Sequence, residues 1–271
     1  VLKRVDSNRA FNIEFESIKD KKTKKLILKD QKINSSDLRQ KVCAFVSVRS
    51  DSKRLKNKWK LKICGKESLY HLVGRLKISK LLDDIVICTT NLKNDNQIYK
   101  FAKKNKIKCF RGSELDVLER MLQAAKKFGP FDHLVRVTGD DILIDNHYLD
   151  IAINHHLDTN SDYTDHKRLP SGTETEIFSY TFLKRLNRSI MFKNDTEYLT
   201  SFVTDHKDQF KISSAPVNKK HQSKISMTMD TKKDFLKVRN FLEWMNKKNK
   251  LYNYSKKGTQ CCSSDALCYR V

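Results

Sequence analysis

Long apolar runs, a signal peptide and paired metal-binding cysteines are all missing from this sequence of 271 residues. No apolar run approaches the roughly 20 residues that a helix needs to span a bilayer, so we expect a soluble protein with no membrane partner. No charged and apolar leader follows Val1, and we interpret the chain as an excerpt or a processed product that is not exported. These absences predict a cytoplasmic location.

Seven cysteines are present, without a C-x-x-C pair or the spacing of a disulfide framework. An odd number of this kind predicts reduced thiols rather than disulfides or a zinc site. Four lie in or beside apolar segments, where a thiol behaves as a small hydrophobe, and three lie in the tail. The first group is Cys43, Cys64, Cys88 and Cys109, and the second is Cys261, Cys262 and Cys268.

The balance of charge is strongly basic, with 55 Lys and Arg against 32 Asp and Glu, a net charge of +23 and a pI of about 9.7. Such a charge attracts any polyanion, so a nucleic-acid-binding module is one alternative. The lysines are spread over the whole length, however, and no interleaved aromatic and basic stripe is present. We therefore expect nucleic acid not to be the partner.

Polar segments at both ends of the chain flank a central region in which apolar residues recur at regular spacing. Residues 1–41 are polar and lysine-dense, and we interpret them as a linker or the end of a preceding domain. Residues 42–245 form the predicted main domain, and residues 246–271 form a polar tail that we expect to be disordered.

In the first half of the main domain, short β-rich runs alternate with segments of helical period. This pattern predicts a mostly parallel, Rossmann-like sheet with flanking helices. The predicted strands are Val42–Val48, Asp84–Thr89, Ile107–Phe110 and His133–Thr138, and the predicted helices are Ser68–Ser79, Asp95–Asn105 and Asp116–Phe128.

The second half has a looser order and predicts a small antiparallel subregion. A capping box at Thr231 to Asp234 predicts the start of a helix that ends near Trp244. The other predicted elements are helices at His147–His156 and Glu197–Asp205, an antiparallel strand at Thr175–Phe178, and strands at Phe210–Ala215 and Lys224–Met229.

A basic loop follows the first predicted strand, at the sheet edge where α/β proteins bind ligands. It runs from Arg49 to Lys58 and holds five cations in ten residues. Its backbone N–H groups and Ser52 suit the oxygens of a triphosphate, and its cations suit the charge on leaving pyrophosphate. A solvated basic turn is the alternative.

Carboxylates follow two other predicted strands. Gly139, Asp140 and Asp141 come after one of them, and Asp230 follows the apolar run Ile225–Met229. Mg²⁺ prefers such oxygen ligands and usually takes only one or two from protein. Helix caps or turns are the alternative, because Asp favours both.

From about Cys43 to Trp244 the sequence resembles the cytidylyltransferases that make CMP-activated sugar acids, and most of all their spore-coat polysaccharide branch. The first loop of that family runs R-x-G-S-x-R-L-P-x-K. This sequence fits it at Arg49, Ser52, Arg54, Leu55 and Lys58, and further matches are Arg111-Gly112-Ser113-Glu114, Asp116-Val117-Leu118, Arg136-Val137-Thr138-Gly139-Asp140 with Leu143-Ile144-Asp145, and Met229-Asp230-Thr231 before Asp234.

The resemblance implies a GT-A-like nucleotidyltransferase fold in which a sugar hydroxyl attacks the α-phosphorus of CTP and pyrophosphate leaves. It implies Mg²⁺ on Asp140 and Asp230, and catalytic roles for Arg49 and Lys58 in stabilising the transition state. The implied nucleotide-binding residues are Ser47, Arg49, Ser52, Arg54, Lys58, Arg111 and Asp140. A homodimer is typical of the family.

Sugar contacts are implied for the second half. Glu174 and Glu176 are similar to the family's G-x-x-x-E strand, and Lys167 and Arg168 could meet a sugar carboxylate. An exposed edge strand is the alternative for this segment.

Three residues depart from the family pattern: Asp51 replaces a glycine, Lys56 a proline and Tyr198 a histidine. At Asp51 a positive φ would favour glycine, and Tyr198 puts sugar recognition in doubt. A related glycosyltransferase, or a protein that binds CTP without catalysis, therefore remains an alternative function.

Overall fold

The structure, a computed structural model, describes residues 39–188 and 199–248. Predictions for residues 1–38, for Tyr198 and for the cysteine-containing tail lie outside the described residues. From Lys41 onward the described residues belong to one compact unit. None of their helices is long and apolar enough to cross a membrane.

Seven strands form one mixed sheet in the order β5-β4-β1-β6-β8-β7-β9. Strands β5, β4, β1 and β6 are parallel, β8 runs antiparallel to β6, and β7 and β9 continue beyond it. A separate two-stranded hairpin is formed by β2 and β3. The strands are β1 Val42–Ser47, β2 Lys62–Ile63, β3 Lys66–Glu67, β4 Asp84–Thr90, β5 Lys108–Gly112, β6 His133–Thr138, β7 Tyr163–Asp165, β8 Glu176–Ser179 and β9 Ile212–Ser214.

The near-continuous apolar sequence of β1 fits its place at the centre of the parallel sheet. Five of its six residues are buried, as expected for a strand covered on both faces. The βαβ order that the sequence predicts is confirmed, and β6 has its predicted bounds. Cys43 in β1 and Cys88 in β4 are buried free thiols.

Helices cover both faces of the sheet and create two apolar cores. One core lies between the sheet and α1, α2, α4 and α7, and the other lies between the sheet and α3, α5 and α6. The capping box at Thr231 and Asp234 begins α7 as predicted. The helices are α1 Ser68–Leu76, α2 Asn96–Lys104, α3 Val117–Phe128, α4 Asn146–Thr159, α5 Tyr180–Arg188, α6 Leu199–Asp205 and α7 Lys232–Lys247.

The second half differs from the prediction in part. The predicted antiparallel strand is β8, and the strand predicted at Phe210–Ala215 is the shorter β9. The strand predicted at Lys224–Met229 is wrong, because that segment makes only an isolated bridge, Ser226 to Ser171. Of its alternating apolar residues, Met227 and Met229 are buried and Ile225 is 41% exposed.

Candidate active site

The carboxyl ends of β1 and β6 lie side by side in the sheet and open into a cavity of about 440 Å³. The basic loop after β1 and the Gly139–Asp140 turn after β6 form its walls. Its lining carries six cations against two carboxylates, which suits a polyanionic ligand. The cations are Arg49, Lys53, Arg54, Lys58, Arg120 and Arg136, and the carboxylates are Glu114 and Asp140.

The basic loop is fastened to the domain by a buried anchor. Trp59, only 4% exposed, donates from Nε1 to Ser50 Oγ at 3.1 Å and packs edge-on against Phe101 in α2. The backbone N–H of Ser50 donates to Asp95 Oδ1 at 2.7 Å. The loop is therefore held at both ends, which presents its cations to the cavity.

Lys58 joins the two predicted metal ligands. Its Nζ donates to Asp140 Oδ2 and lies 3.2 Å from Asp230 Oδ1, while Arg54 lies 2.9 Å from that same Asp230 oxygen. The backbone N–H of Met229 also donates to the Asp140 carbonyl at 3.1 Å, which ties the two loops together. The carboxylates thus face one another across a single cation position.

These carboxylates fit Mg²⁺, which takes one or two oxygen ligands from protein and completes its shell with phosphate and water. The position between Asp140 and Asp230 already holds a positive charge, the Lys58 ammonium. Among the described residues, no group of three or more side chains could hold a metal ion alone. Phosphate oxygens and water would have to supply the remaining ligands.

Two features of the turn suit a ligand close to the backbone. A Cβ at Gly139 would lie 2.8 Å from Cβ of Val48, so only glycine fits this approach of β6 to β1. The hydroxyl of Ser47, at the end of β1, is buried with no hydrogen-bond partner among the described residues. A buried polar group of this kind calls for a partner, and Ser47 lines the cavity.

Arg120 and Arg136 are cavity residues that the sequence reasoning missed as cleft cations. Arg120 is 4% exposed on α3, and its NH1 is held by the carbonyls of Ser113 and Glu114. Arg136 faces Glu176 across β6 and β8 and donates to it at 2.6 Å. Their positions inside an amphipathic helix and a strand gave no sign that they face a ligand cavity.

A second cavity of about 230 Å³ adjoins the first, because Arg136 and Thr138 line both. It contains three of the predicted sugar-binding residues, Lys167, Glu174 and Glu176. Glu176 also accepts from the hydroxyl of Tyr163 at 2.9 Å and from Thr200. The second cavity is therefore a polar chamber beside the larger, cationic cleft.

Comparison with known proteins gives the family. The model of the cytidylyltransferase family matches residues 43–257. The chain belongs to the cytidylyltransferase family. It is 36% identical over 196 residues to an uncharacterised protein of Methanocaldococcus jannaschii (72% of this chain, 80% of the relative), and 26% identical over 201 residues to the spore coat polysaccharide biosynthesis protein SpsF of Bacillus subtilis (72% and 83%).

Solved structures show the same cytidylyltransferase fold. A cytidylyltransferase from Leptospira borgpetersenii is similar with a TM-score of 0.71 and 26% identity, covering 82% of this chain and all of that one. A CMP:2-keto-3-deoxy-manno-octonic acid synthetase in complex with CTP has a TM-score of 0.55 and 13% identity, with 76% and 99% covered. At that identity the second likeness shows the fold alone.

Three residues predicted from the family pattern, Arg111, Arg168 and Asp230, line neither cavity of this cytidylyltransferase, although Asp230 lies 3.2 Å from Lys58 in the lining of the first cavity. The guanidinium of Arg111 donates to the carbonyls of Thr90 and Leu92 and to Asn96 Oδ1, so it braces the loop between β4 and α2. Arg168 is exposed and lines neither cavity.

Asp51, which replaces a glycine of the family pattern, does not need the backbone conformation that favours glycine. Asp51 does not have a positive φ, whereas Asn57, later in the same loop, has a φ of 54°. Asn tolerates that left-handed conformation better than most residues. The loop therefore makes its tight turn at Asn57, and the side chain of Asp51 adds no backbone strain.

Proposed function

We propose that this cytidylyltransferase transfers CMP from CTP to a sugar hydroxyl and releases pyrophosphate, with Mg²⁺ as its cofactor. The observation that carries the proposal is the pairing of Asp140 and Asp230 around one cation, Lys58 of the basic loop. A triphosphate needs both parts, since carboxylates hold a metal ion and cations neutralise the phosphates.

In the proposed reaction the acceptor hydroxyl forms a new bond to the α-phosphorus while the bond between the α-phosphorus and the bridging oxygen breaks. The hydroxyl proton is released, and the bond electrons leave with pyrophosphate. Arg49, Arg54 and Lys58 stabilise the charge that develops on the leaving group. Bound Mg²⁺, held by Asp140 and Asp230, would supply further neutralisation of phosphate charge.

The acceptor belongs in the second cavity, because that chamber opens beside the cleft at Arg136 and Thr138. The relative SpsF is named for spore coat polysaccharide biosynthesis, which supports a role in making nucleotide sugars for surface glycans. We propose that the reaction takes place in the cytoplasm. A homodimer stays a prediction.

Pyrophosphate release tests the proposal. Each of the four ribonucleoside triphosphates is supplied with Mg²⁺ and with sialic-type, Kdo-type, neutral and amino sugars, and we expect release with CTP. Asp140→Asn should abolish turnover while the protein stays folded, and Asp208→Asn, at an exposed carboxylate outside both cavities, should keep it. CTP binding without release from any combination would favour a nucleotide-binding protein that has lost catalysis.

A further inference from the structure

The loop after β5 and the first turns of α3 form a wall of the first cavity, the one of about 440 Å³, away from Asp140. Glu114, Val117 and Arg120 line this wall. In the sheet β5 lies two strands from β1 and three from β6. Since neighbouring strands are about 4.8 Å apart, the end of β5 lies about 10 Å from the end of β1, where the basic loop begins. A triphosphate bound at the basic loop would leave this wall to the nucleoside.

Arg120 brings a buried positive charge to the wall. No ion pair reaches it among the residues that the structure describes, and burial lowers its pKa, as expected for a charge removed from water. Its NH1 donates to the carbonyls of Ser113 and Glu114, whereas its Nε and NH2 have no acceptor in the same part of the chain. A buried guanidinium of this kind calls for an acceptor from a ligand.

Glu114 brings a negative charge to the same wall. Of the two carboxylates in the lining, Asp140 is paired with Lys58, whereas Glu114 has no ion pair within the described ranges. NH1 of Arg120 lies 3.4 Å from the backbone carbonyl of Glu114, yet the two charged side chains are not joined to each other. A carboxylate repels phosphate, so this wall suits an uncharged group that donates to Glu114 and accepts from Arg120.

The loop that carries these groups is held in place by its own hydrogen bonds. Ser113 Oγ accepts from the backbone N–H of Asp116 at 3.0 Å, and Asp116 caps α3 by accepting from the N–H of Glu119 at 2.9 Å. A Cβ at Gly112 would lie 3.0 Å from Cγ of Arg120, so glycine at this position leaves room for the arginine side chain. The donor and the acceptor of the wall are therefore positioned before a ligand binds.

We infer that Glu114 and Arg120 select the base of the nucleotide: Glu114 accepts a hydrogen bond from the amino group of cytosine, and Arg120 donates one to its O2 carbonyl. The inference rests on the proposed function, which places CTP in the first cavity. Cytosine has an amino donor where uracil has a carbonyl. In UTP that carbonyl would face the carboxylate of Glu114, acceptor against acceptor, and the enzyme therefore discriminates against it. Val117 supplies apolar surface for the ring.

Calorimetric titration of the full chain with CTP and with UTP, in Mg²⁺ and without an acceptor sugar, tests the selection. CTP should have a dissociation constant about tenfold below that of UTP, the effect of one charge-assisted hydrogen bond that uracil cannot make. Equal binding of the two nucleotides, or a preference for UTP, would overturn the inference.

Glu114→Gln keeps the size of the side chain and adds an amide N–H that can donate to the uracil carbonyl. The preference for CTP over UTP should fall about tenfold, to near equality, whereas Glu119→Gln should keep the preference of the parent protein. Glu119 is the matched control, because it lies on α3 outside the cavity lining and its carboxylate accepts from Gln123 and Asn187. A preference that survives in Glu114→Gln would overturn the role of Glu114.

Arg120→Lys tests the second contact, because cytosine and uracil share the O2 carbonyl. Lysine keeps the positive charge and loses the planar set of donors. CTP and UTP should both bind about tenfold more weakly, and pyrophosphate, which has no base, should bind as it does to the parent protein. Weaker binding of pyrophosphate, or unchanged binding of CTP, would overturn the role of Arg120. Circular dichroism separates loss of binding from loss of fold, and Glu114→Gln decides the inference if Arg120→Lys does not fold.

Turnover distinguishes this inference from the proposed function. A preference for CTP that depends on Glu114, without pyrophosphate release from any triphosphate and sugar, would sustain the base site and overturn the transferase. Pyrophosphate release from CTP, with the same preference over UTP in Glu114→Gln as in the parent protein, would sustain the transferase and overturn the base site.

Discussion

Replacing Lys58 with methionine should increase the stability that the protein gains from Mg²⁺ and decrease its turnover. The ammonium of Lys58 lies between Asp140 and Asp230, so Lys58→Met leaves two facing carboxylates with little compensation. Arg54 still reaches Asp230, but its side chain is 68% exposed and contributes little. Without metal, the variant should therefore be less stable than the parent protein.

The burial of the cluster sets the size of the effect. The side chains of Lys58, Asp140 and Asp230 are 14%, 18% and 24% exposed, between a surface pair and a fully buried one. Breaking a surface pair costs up to about 1 kcal/mol, and breaking a buried pair costs about 3–5 kcal/mol. We expect a loss of about 2 kcal/mol for this intermediate burial.

Mg²⁺ should stabilise Lys58→Met more than it stabilises the parent protein. In the parent protein the ion must displace an ammonium from the carboxylates, whereas in Lys58→Met it meets the carboxylates without that competitor. At a concentration about 100 times its dissociation constant, a bound ion stabilises a protein by about 2.7 kcal/mol. The variant should gain more from Mg²⁺, yet its turnover should fall about 100-fold or more, because the cation that faces the phosphates is gone.

Urea unfolding in EDTA and in Mg²⁺, together with pyrophosphate release, measures all three effects. Lys60→Met is the matched control, because Lys60 lies on the same short 3-10 helix, Lys58–Lys60, and its ammonium donates to Gln97 at 3.2 Å, away from Asp140 and Asp230. Equal stability of the two variants in EDTA would refute the idea that Lys58 neutralises the carboxylates. An unchanged Mg²⁺ response would refute the placement of the ion there.

Two further predictions concern the turn after β6 and a buried histidine. Gly139→Ala should displace the turn from Val48 and lower turnover, at a cost of about 1–3 kcal/mol in unfolding free energy, and urea denaturation with a kinetic assay measures both. Burial lowers the pKa of His156 to about 3, below the 6.5 of an exposed histidine, so its contribution to stability is complete above pH 6.5 and is lost as the pH falls toward 3. His156→Gln should flatten the dependence of unfolding free energy on pH in that interval, and an unchanged slope would contradict this assignment.

The parallel half of the fold could be predicted because its signals are local. A buried run such as Val42–Val48 needs two covered faces, and the segments of helical period between the strands supply them. The second half mixes short strands with loops, and there the alternation of Ile225, Met227 and Met229 predicts a strand that the structure does not contain. Met227 and Met229 are buried and Ile225 is exposed, so alternation identified only part of the inward face. A strand also needs a neighbour with free backbone groups, which only the tertiary fold provides.

The sequence could predict the part of the candidate site that lies at the carboxyl ends of the parallel strands. Strand ends gave the basic loop and Asp140. Asp230 was predicted as the carboxylate after the apolar run Ile225–Met229, although that run makes only an isolated bridge. Arg136 could not be found in this way, because its role depends on register: it lies opposite Glu176 only through the antiparallel pairing of β6 with β8. The anchor formed by Trp59 and Ser50 likewise depends on a contact that the spacing of the residues does not show.

The register of β6 also explains how this one strand lines both cavities. β6 carries Arg136 and Thr138 between the cavities and is followed by Gly139 and Asp140, so the cationic cleft and the second cavity share a wall only one strand wide. The pairing of Arg136 with Glu176 neutralises that wall, which keeps the positive charge on the side of the basic loop. A triphosphate would then be attracted to the side of the basic loop, with the acceptor hydroxyl brought to the boundary where the two cavities meet.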